Sequence, residues 1–360
     1  SDSRKNYDND GEGYIDGIMI IYGGPDCNAY AKEHPYSGGL GDNLWAYTYW
    51  IQNPGYKSTS SPGPNAYFWA SYDFMYNDNT AFARTGKSNY NNGGINAHCN
   101  LDTHTYIHET GHLLGLDDYY DYGGVCAPAG RLSMQDENVG GHDPFSCLAL
   151  GWAEAYVPTE NCEVELEPFQ TSHKVILLSP SFNNYNSPCD EYLLLELYTP
   201  TGLNKFDTDY QYGQGSPRGV NATGIRLWHV DSRLFKYKSG TPSTSTIYTY
   251  PVTDCGFMMS NTYYSSSTEN SISPLGRSYA DYNMLQLIRN SVTSGYKPDD
   301  YLKESYLFRD GSSFKMYNYK NQFVQSGKLN SGKALGWEFS VSIQGSGDSA
   351  VATVTLTIDK

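Results

Sequence analysis

Apolar runs of strand length, separated by Gly-, Ser-, Asn- and Pro-rich segments, recur along most of the chain. Before residue 103, the runs Ile18–Tyr22, Leu44–Ile51 and Ala66–Phe74 predict strands. A helical pattern then covers about Thr103–Gly115, with a polar N-cap candidate at its start and a glycine where it ends. A second helix is predicted at Pro144–Leu150.

After residue 158 the pattern changes to short strand-like runs with turn residues between them, which is typical of a β-sandwich. These predicted strands are Val164–Leu166, Val175–Leu178, Tyr192–Tyr198, Gly224–Val230, Met284–Ile288, Trp337–Ile343 and Val351–Ile358. The sequence therefore predicts an α+β protein with two domains, residues 1–157 and 158–360. Two domains also fit a length of 360 residues, since one domain ordinarily takes roughly 150.

Composition narrows the class of protein. The chain has 24 Lys and Arg against 39 Asp and Glu, and its net charge of −15 argues against binding to a nucleic-acid phosphate backbone. No apolar run approaches the roughly 18 residues that a membrane-spanning helix needs, so no transmembrane segment is predicted. The high Tyr and Gly contents, 34 and 36 residues, indicate a loop-rich, β-rich surface. Because the chain starts at Ser1, we expect a secreted or cell-surface protein whose signal and pro-segment lie upstream.

The seven cysteines form no CxxC pair, which argues against a cysteine-only zinc site. Their odd number leaves at least one thiol outside any disulfide within the chain. Disulfides are expected if the protein is secreted, and the sequence does not assign their pairing.

The strongest chemical motif is His108-Glu109-Thr110-Gly111-His112, an HExxH sequence on the predicted helix. Residues i and i+4 lie on one helix face about 5–6 Å apart at Cβ, so the two imidazoles can hold one metal ion. Glu109 lies beside that face, where its carboxylate can take a proton from metal-activated water. The competing interpretation, a surface helix with two unrelated histidines, requires a rare chance match to the motif.

The motif continues to Asp118 and fits HExxHxxGxx(H/D). Gly115 permits a left-handed exit from the helix that turns the chain back under the metal. Asp118, three residues later, is then a candidate third ligand, leaving a fourth position for water. Asp117 and Asp121 compete for this role, and any of the three aspartates could instead cap a helix or bind calcium.

The stretch HETGHLLGLDDYYDY and the later LSMQDENVGGHDPFSCLALGW resemble the secreted zinc metallopeptidases of the immune inhibitor A family, which are metzincin-like. The likeness continues in DNDGEGYIDGIMIIYGG, DNLWAYTYW, EYLLLELYTPTGLNKFD and GIRLWHVDSRL, so it spans both halves. It implies a zincin-like catalytic domain, built from a mixed sheet and an active-site helix and followed by a β-sandwich-like accessory domain. It also implies Zn²⁺ as cofactor and Met134 as the Met-turn residue beneath it. An ordinary core methionine would be buried in the same way.

An acidic loop near the start of the chain is a candidate Ca²⁺ site. Asp8, Asp10, Glu12 and Asp16 occupy positions 1, 3, 5 and 9 of an EF-hand-like loop. Met19 stands at position 12, where an EF-hand has a bidentate Glu. A Ca²⁺ site therefore competes with a merely acidic loop.

Two further histidines, His142 and His229, lie outside the HExxH motif. His142 could stabilise the transition state or orient a ligand, whereas its neighbour Asp143 is at least as well explained as a helix cap. His229 lies in a strand-like segment together with Asp231, and a lone strand histidine is more often a satisfied core residue. We therefore assign no catalytic role to His229 or Asp231.

These observations favour a secreted zinc endopeptidase with Glu109 as general base. A protein or peptide substrate would lie extended along an edge strand, either Ala66–Phe74 or Leu44–Ile51. The alternative is a non-catalytic cell-surface or glycan-binding protein on a zincin scaffold, which the aromatic content favours and the intact Glu109 argues against. A purely structural zinc site usually has four protein ligands, and no obvious fourth ligand lies near the motif.

Overall fold

The computed structural model describes residues 3–23, 45–51, 55, 57–76, 103–121, 126–138, 140–182, 189–209, 219–233, 236–237, 248–249, 283–292 and 301–359. Within these residues the chain is mixed α/β with several separate sheets. It divides into two compact units, Ser1–Asp117 with Tyr210–Gly215, and Asp118–Asp209 with Ser216–Lys360. No helix in the described part of the chain is both long enough and apolar enough to span a bilayer.

The first unit contains a three-stranded sheet and a ten-residue helix, α1. Its strands are β1 (Tyr14–Ile15), β2 (Ile18–Tyr22), β3 (Tyr47–Trp50), β4 (Gly63–Pro64) and β5 (Ala66–Ser71), and α1 covers His104–Leu113. The sheet order is β2-β5-β3, with β2 parallel and β3 antiparallel to the central β5. Strands β1 and β4 form a separate parallel pair. A 3-10 helix at Ser3–Tyr7 precedes β1, and another at Tyr72–Tyr76 follows β5.

The structure has strands at the three predicted positions in this unit, but the expectation that Ala66–Phe74 can be an edge strand is wrong. β2 has the predicted bounds, whereas the predicted Leu44–Ile51 is a strand at Tyr47–Trp50. The predicted Ala66–Phe74 ends as a strand at Ser71. Because β5 pairs with a strand on each side, it has no edge that a substrate could extend. Among the described strands, β3 is the edge strand of the two candidates.

Alternating residues of β5 build a small core beneath the helix. Phe68 and Ala70 are fully buried and pack with Ala46, Phe74 and Tyr106 of α1. The rings of Phe68 and Tyr106 meet edge to face at 5.2 Å, and the Tyr106 hydroxyl donates a hydrogen bond to the Ser71 carbonyl at 2.8 Å. This apolar packing holds α1 against one face of the sheet.

The end of α1 has the predicted left-handed exit. Its last helical residue is Leu113, and Gly115 has a φ of +95°, a conformation that favours glycine. The N–H of Gly115 donates to the His112 carbonyl at 2.8 Å, and that of Leu116 to the Gly111 carbonyl at 3.0 Å. These bonds satisfy carbonyls that the helix end would otherwise leave without partners.

The second unit is dominated by two sheets. Its strands are β6 (Glu154–Tyr156), β7 (Cys162–Leu166), β8 (Lys174–Leu178), β9 (Glu191–Tyr198), β10 (Gly224–Asp231), β11 (Lys236–Tyr237), β12 (Tyr248–Thr249), β13 (Leu285–Ile288), β14 (Ser313–Phe314), β15 (Trp337–Gln344) and β16 (Val351–Ile358). Its α-helices are α2 (Pro144–Ala149), α3 (Phe169–Ser172) and α4 (Asn204–Asp209), and its 3-10 helices are Glu304–Tyr306, Met316–Gln322 and Gly347–Ser349. All seven strands predicted after residue 158 are present, with bounds that differ by at most two residues.

The five-stranded sheet has the order β13-β10-β9-β8-β6, the four-stranded sheet has the order β14-β15-β16-β7, and β11 pairs with β12. One face of each larger sheet contributes to the same core, which includes Leu193 and Leu195 of β9 together with Phe339 of β15 and Val354 of β16. The two sheets therefore share apolar contacts. The β-sandwich fold itself stays a prediction.

A second core covers the other face of the five-stranded sheet. There Trp228 of β10 and Leu194 of β9 pack with Tyr119, Leu132 and Phe145. Residues that follow 117 therefore pack with the sheet that forms later in the chain, and the division of the sequence between the compact units falls at 117/118. The pattern of short strand-like runs begins at residue 158. The second core, in contrast, also contains apolar side chains from before that residue. The domain division at 157/158 stays a prediction.

Candidate metal centre

The structure brings His108, His112 and Asp118 together, with a ligand atom from each residue within 4.8 Å of the others. The Nε2 atoms of His108 and His112 lie 3.1 Å apart. Two nitrogen ligands of a tetrahedral Zn²⁺, each about 2.0–2.1 Å from the ion, would lie about 3.4 Å apart. The two histidines therefore already have nearly the separation that one shared ion requires.

A backbone carbonyl orients the second histidine. The Nδ1 of His112 lies 2.8 Å from the carbonyl oxygen of Leu116. A carbonyl only accepts hydrogen bonds, so Nδ1 carries the proton, and in the neutral ring the lone pair is on Nε2. Nε2 is also the atom that faces His108. Metal-binding histidines typically have this kind of hydrogen bond on the second nitrogen.

The three candidate aspartates have different surroundings. Asp118 is 6% exposed and belongs to the group with both histidines. Asp121 is buried, and its Oδ2 accepts a hydrogen bond from the N–H of Cys126 at 3.1 Å. Asp117, like Asp121, lies outside the group. The geometry therefore favours Asp118 as the third ligand, delivered by the turn that begins at Gly115.

Glu109 is buried and receives a contact that the sequence did not indicate. It follows His108 directly on α1, and its side chain is only 6% exposed. The Oγ1 of Thr48 lies 2.9 Å from Glu109 Oε2 and 2.8 Å from the Glu109 carbonyl oxygen. Thr48 belongs to β3, and its only signal in the sequence is a hydroxyl position within an aromatic run.

The residues predicted near a Met-turn lie in the second unit. Met134 is 3% exposed, which fits both a Met-turn and an ordinary core methionine. The His142 ring meets that of Trp152 edge to face at 5.8 Å, and a role for His142 in catalysis stays a prediction. The interpretation of Asp143 as a helix cap is confirmed, since its Oδ1 accepts the Ser146 N–H at 2.9 Å at the start of α2.

The acidic loop is partly assembled. Asp8, Asp10 and Asp16 offer carboxylate oxygens within 4.8 Å of one another, and Glu12 lies outside this group. The N–H of Gly13 donates to Asp8 Oδ2 at 3.0 Å, and Gly13 has a φ of +92°. Three of the four predicted ligands therefore lie together around a turn that requires glycine.

His229 lies in a buried polar cluster of the second unit. Its Nε2 is 2.8 Å from Glu191 Oε1, and both side chains are almost completely buried. Burial raises the pKa of Glu191, but the hydrogen bond from His229 and the charges of His229 and Arg233 outweigh it, so the pKa is lowered overall. Arg233 also pairs with Asp231 at 2.7 Å. His229 is therefore a buried core histidine, as expected, but only its Nε2 is satisfied, because the buried Nδ1 has no hydrogen-bond partner among the described residues.

The described cysteines are Cys126, Cys147, Cys162 and Cys189, of which Cys147 and Cys162 are free thiols. Burial raises the pKa of the Cys147 thiol, so this thiol remains protonated at neutral pH. The other three cysteines, Cys27, Cys99 and Cys255, lie outside the described residues.

A scan against protein-family models found no match for this chain, and a search of curated proteins also found none. A functional assignment therefore depends on the site geometry and on the motif resemblance described above.

Proposed function

We propose that this protein is a secreted, immune inhibitor A-like zinc endopeptidase, with a zincin-like catalytic domain followed by a β-sandwich-like accessory domain. The proposal is supported chiefly by one observation, the group that His108 and His112 of α1 form with Asp118, which follows the turn at the end of that helix; the buried Glu109 is on α1 as well. Seven cysteines and a tyrosine-rich composition are compatible with an extracellular location.

The donor set fits catalytic zinc. Two imidazole nitrogens and one carboxylate oxygen are three protein ligands, the number that leaves one coordination position open. When bound, zinc polarises the scissile carbonyl and lowers the pKa of a coordinated water towards ~7. Glu109 lies outside the ligand group and takes the proton from the attacking water. The same carboxyl group then passes this proton to the leaving amine.

The substrate in this proposal is a protein or peptide bound in an extended conformation. Strand β3 pairs with β5 on one side, and no described strand pairs with its other edge. A peptide added there gains backbone hydrogen bonds without depending on one side-chain sequence. A net charge of −15 argues against nucleic acid as a partner.

A Ca²⁺ site in the acidic loop is a second part of the proposal. Calcium prefers oxygen ligands from flexible loops, and Asp8, Asp10 and Asp16 supply three carboxylates at short mutual distances. In this proposal the ion is structural, because the loop leads directly through Asp16 into β2.

The competing function is a non-catalytic glycan-binding or cell-surface protein on a zincin scaffold. Its specific support is the exposure of aromatic side chains around β3, with Trp45 55% and Trp50 49% exposed. Aromatic faces of this kind are common in binding surfaces. The buried carboxylate of Glu109 has no role in such a protein, which is why we favour the peptidase.

Cleavage profiling on a peptide library tests the proposed function. Products are identified by mass spectrometry for the zinc-loaded protein, the chelator-treated protein and the chelator-treated protein after zinc is returned. We expect hydrolysis in the first and third samples and none in the second. A zinc-loaded protein that cleaves no peptide or denatured protein contradicts the proposal.

A further inference from the structure

The contact between β3 and α1 joins a hydroxyl to both oxygen acceptors of one residue. Thr48 Oγ1 lies 2.8 Å from the carbonyl oxygen of Glu109 and 2.9 Å from its carboxylate Oε2. A hydroxyl has a single proton, so Thr48 donates to one of these acceptors at a time. Either bond holds the threonine beside the Glu109 side chain.

The hydroxyl itself is attached to a rigid part of the first unit. Thr48 lies directly opposite Phe68 in the β3–β5 pair, and Phe68 is fully buried in the core beneath α1. The side chain of threonine is branched at Cβ, so few χ1 rotamers are accessible to it. The donor is therefore fixed relative to the sheet, whereas Glu109 has a longer side chain with more rotamers.

The backbone of α1 does not need this contact. A helical carbonyl already accepts a hydrogen bond from the N–H four residues later. A carboxylate that is 6% exposed, in contrast, is costly to bury unless donors reach it. Of the two bonds, the one to Oε2 is thus the one that orients the Glu109 side chain.

We propose that Thr48 is a positioning residue for Glu109. Its hydroxyl holds Oε2 and so fixes the rotation of the carboxylate that accepts the proton of the attacking water. This inference rests on the proposed peptidase function and adds to it a residue from β3, the strand along which the substrate is proposed to lie.

The position of Thr48 links substrate binding to the base. A peptide aligned along β3 takes its register from the same strand that orients Glu109. The scissile bond and the proton acceptor are then located by one element, as precise catalytic geometry requires.

The test compares Thr48→Val, which keeps the shape but removes the hydroxyl, with Thr48→Ser, which keeps the hydroxyl. We expect Thr48→Val to lower kcat by about 10–100-fold with KM within about twofold of wild type, the usual effect of a misplaced catalytic group. Thr48→Ser should recover most of kcat. Zinc content, measured by metal analysis, should equal that of wild type in both variants.

Thr110→Val is the matched control. Thr110 is also a threonine, half-buried and next to Glu109 on α1, but its hydroxyl donates to the Tyr106 carbonyl at 2.6 Å. Removing that hydroxyl should leave kcat within about twofold of wild type. A general effect of losing a threonine hydroxyl near the site would instead lower kcat in both valine variants.

A second readout needs no activity. Unfolding midpoints of the metal-free protein are compared for wild type, Thr48→Val, Glu109→Ala and the double variant. We expect the Thr48→Val substitution to shift the midpoint less when residue 109 is alanine, because the two side chains are coupled. Thr48→Ala replaces Thr48→Val throughout if the valine variant does not fold.

The outcomes separate this inference from the proposed function. If wild type cleaves peptides but Thr48→Val has an unchanged kcat, loses zinc, or shows additive midpoint shifts, the positioning role is wrong and the peptidase remains. If zinc-loaded wild type cleaves nothing, the proposed function fails and this inference fails with it.

Discussion

His112 donates a hydrogen bond from Nδ1 to the carbonyl oxygen of Leu116, 2.8 Å away. The donor is in the last turn of α1, and the acceptor follows Gly115, whose φ of +95° turns the chain back. The turn therefore fixes the tautomer of one histidine and, two residues later, supplies Asp118. One short stretch of chain arranges two of the three candidate ligands.

The first prediction concerns the third ligand. Asp118→Ala should weaken zinc affinity by more than about 10-fold, because a ligand contributes at least as much as the outer-shell groups that orient ligands. Asp117→Ala should bind zinc as wild type does, since Asp117 lies outside the ligand group. A competition titration against a chromophoric chelator measures both. Equal affinities for the two variants would move the third ligand elsewhere.

Asp121→Ala provides a control with a different expected effect. Asp121 accepts the N–H of Cys126, and a buried donor without a partner costs about 1–3 kcal/mol. The variant should therefore unfold at lower denaturant concentration while it retains zinc affinity. Zinc loss without a change in stability would instead identify Asp121 as the ligand.

The second prediction concerns the acidic loop. Millimolar Ca²⁺ should raise the unfolding temperature of the protein, because an ion that binds the native state stabilises it. Asp8→Asn and Asp16→Asn should remove this increase, since both carboxylates belong to the group of three. Glu12→Gln is the matched control and should keep it. An increase that Glu12→Gln abolishes as well would restore the four-ligand EF-hand-like interpretation.

The third prediction concerns stability at acid pH. The pKa of Glu191 is lowered in the folded protein, so the unfolded chain binds more protons as the pH falls below about 4.3. This carboxylate therefore stabilises the fold above that pH, and its contribution is lost as the pH falls through the folded-state pKa. Glu191→Gln should lower the free energy of unfolding at pH 7 and flatten its decline at acid pH.

Urea unfolding at several pH values between 3 and 7 measures this effect. Glu165→Gln is the control, because Glu165 lies on the exposed face of β7. Its free energy of unfolding should follow wild type at every pH. Parallel curves for Glu191→Gln and wild type would show that the pair with His229 does not supply the acid dependence.

Local features of the sequence predicted local features of the fold. Neighbouring residues were enough to predict four of these features: the bounds of β2, the bounds of β16, the helix at residues 104–113 and the positive φ of Gly115. The grouping of the two histidines also follows from helical spacing alone. Such features need only a short stretch of chain, which is why the pattern of side chains predicts them.

Contacts between distant residues were not predictable in this way. Thr48 reaches Glu109 across 61 positions, and Asn330 donates to Glu191 across 139. Each depends on how strands pair, and strand register cannot be read from one strand by itself. The same limitation explains the mistaken edge at Ala66–Phe74, since its alternating pattern is compatible with either an edge or a central strand.

The central claim is that Glu109 accepts a proton during peptide hydrolysis at a zinc site. Glu109→Gln tests it, because the amide keeps the shape of the carboxylate but cannot take the proton. Zinc content and the unfolding midpoint should stay close to those of wild type, since Glu109 lies outside the ligand group. A binding protein without catalysis would retain its ligand affinity in this variant.

The decisive measurement is the initial cleavage rate of a profiled peptide by zinc-loaded wild type and zinc-loaded Glu109→Gln, assayed side by side. The proposed mechanism predicts a rate at least about 10²–10⁴-fold lower in the variant, the usual contribution of a positioned proton acceptor. Equal rates would show that Glu109 is not the base, and they would contradict the mechanism proposed for this site.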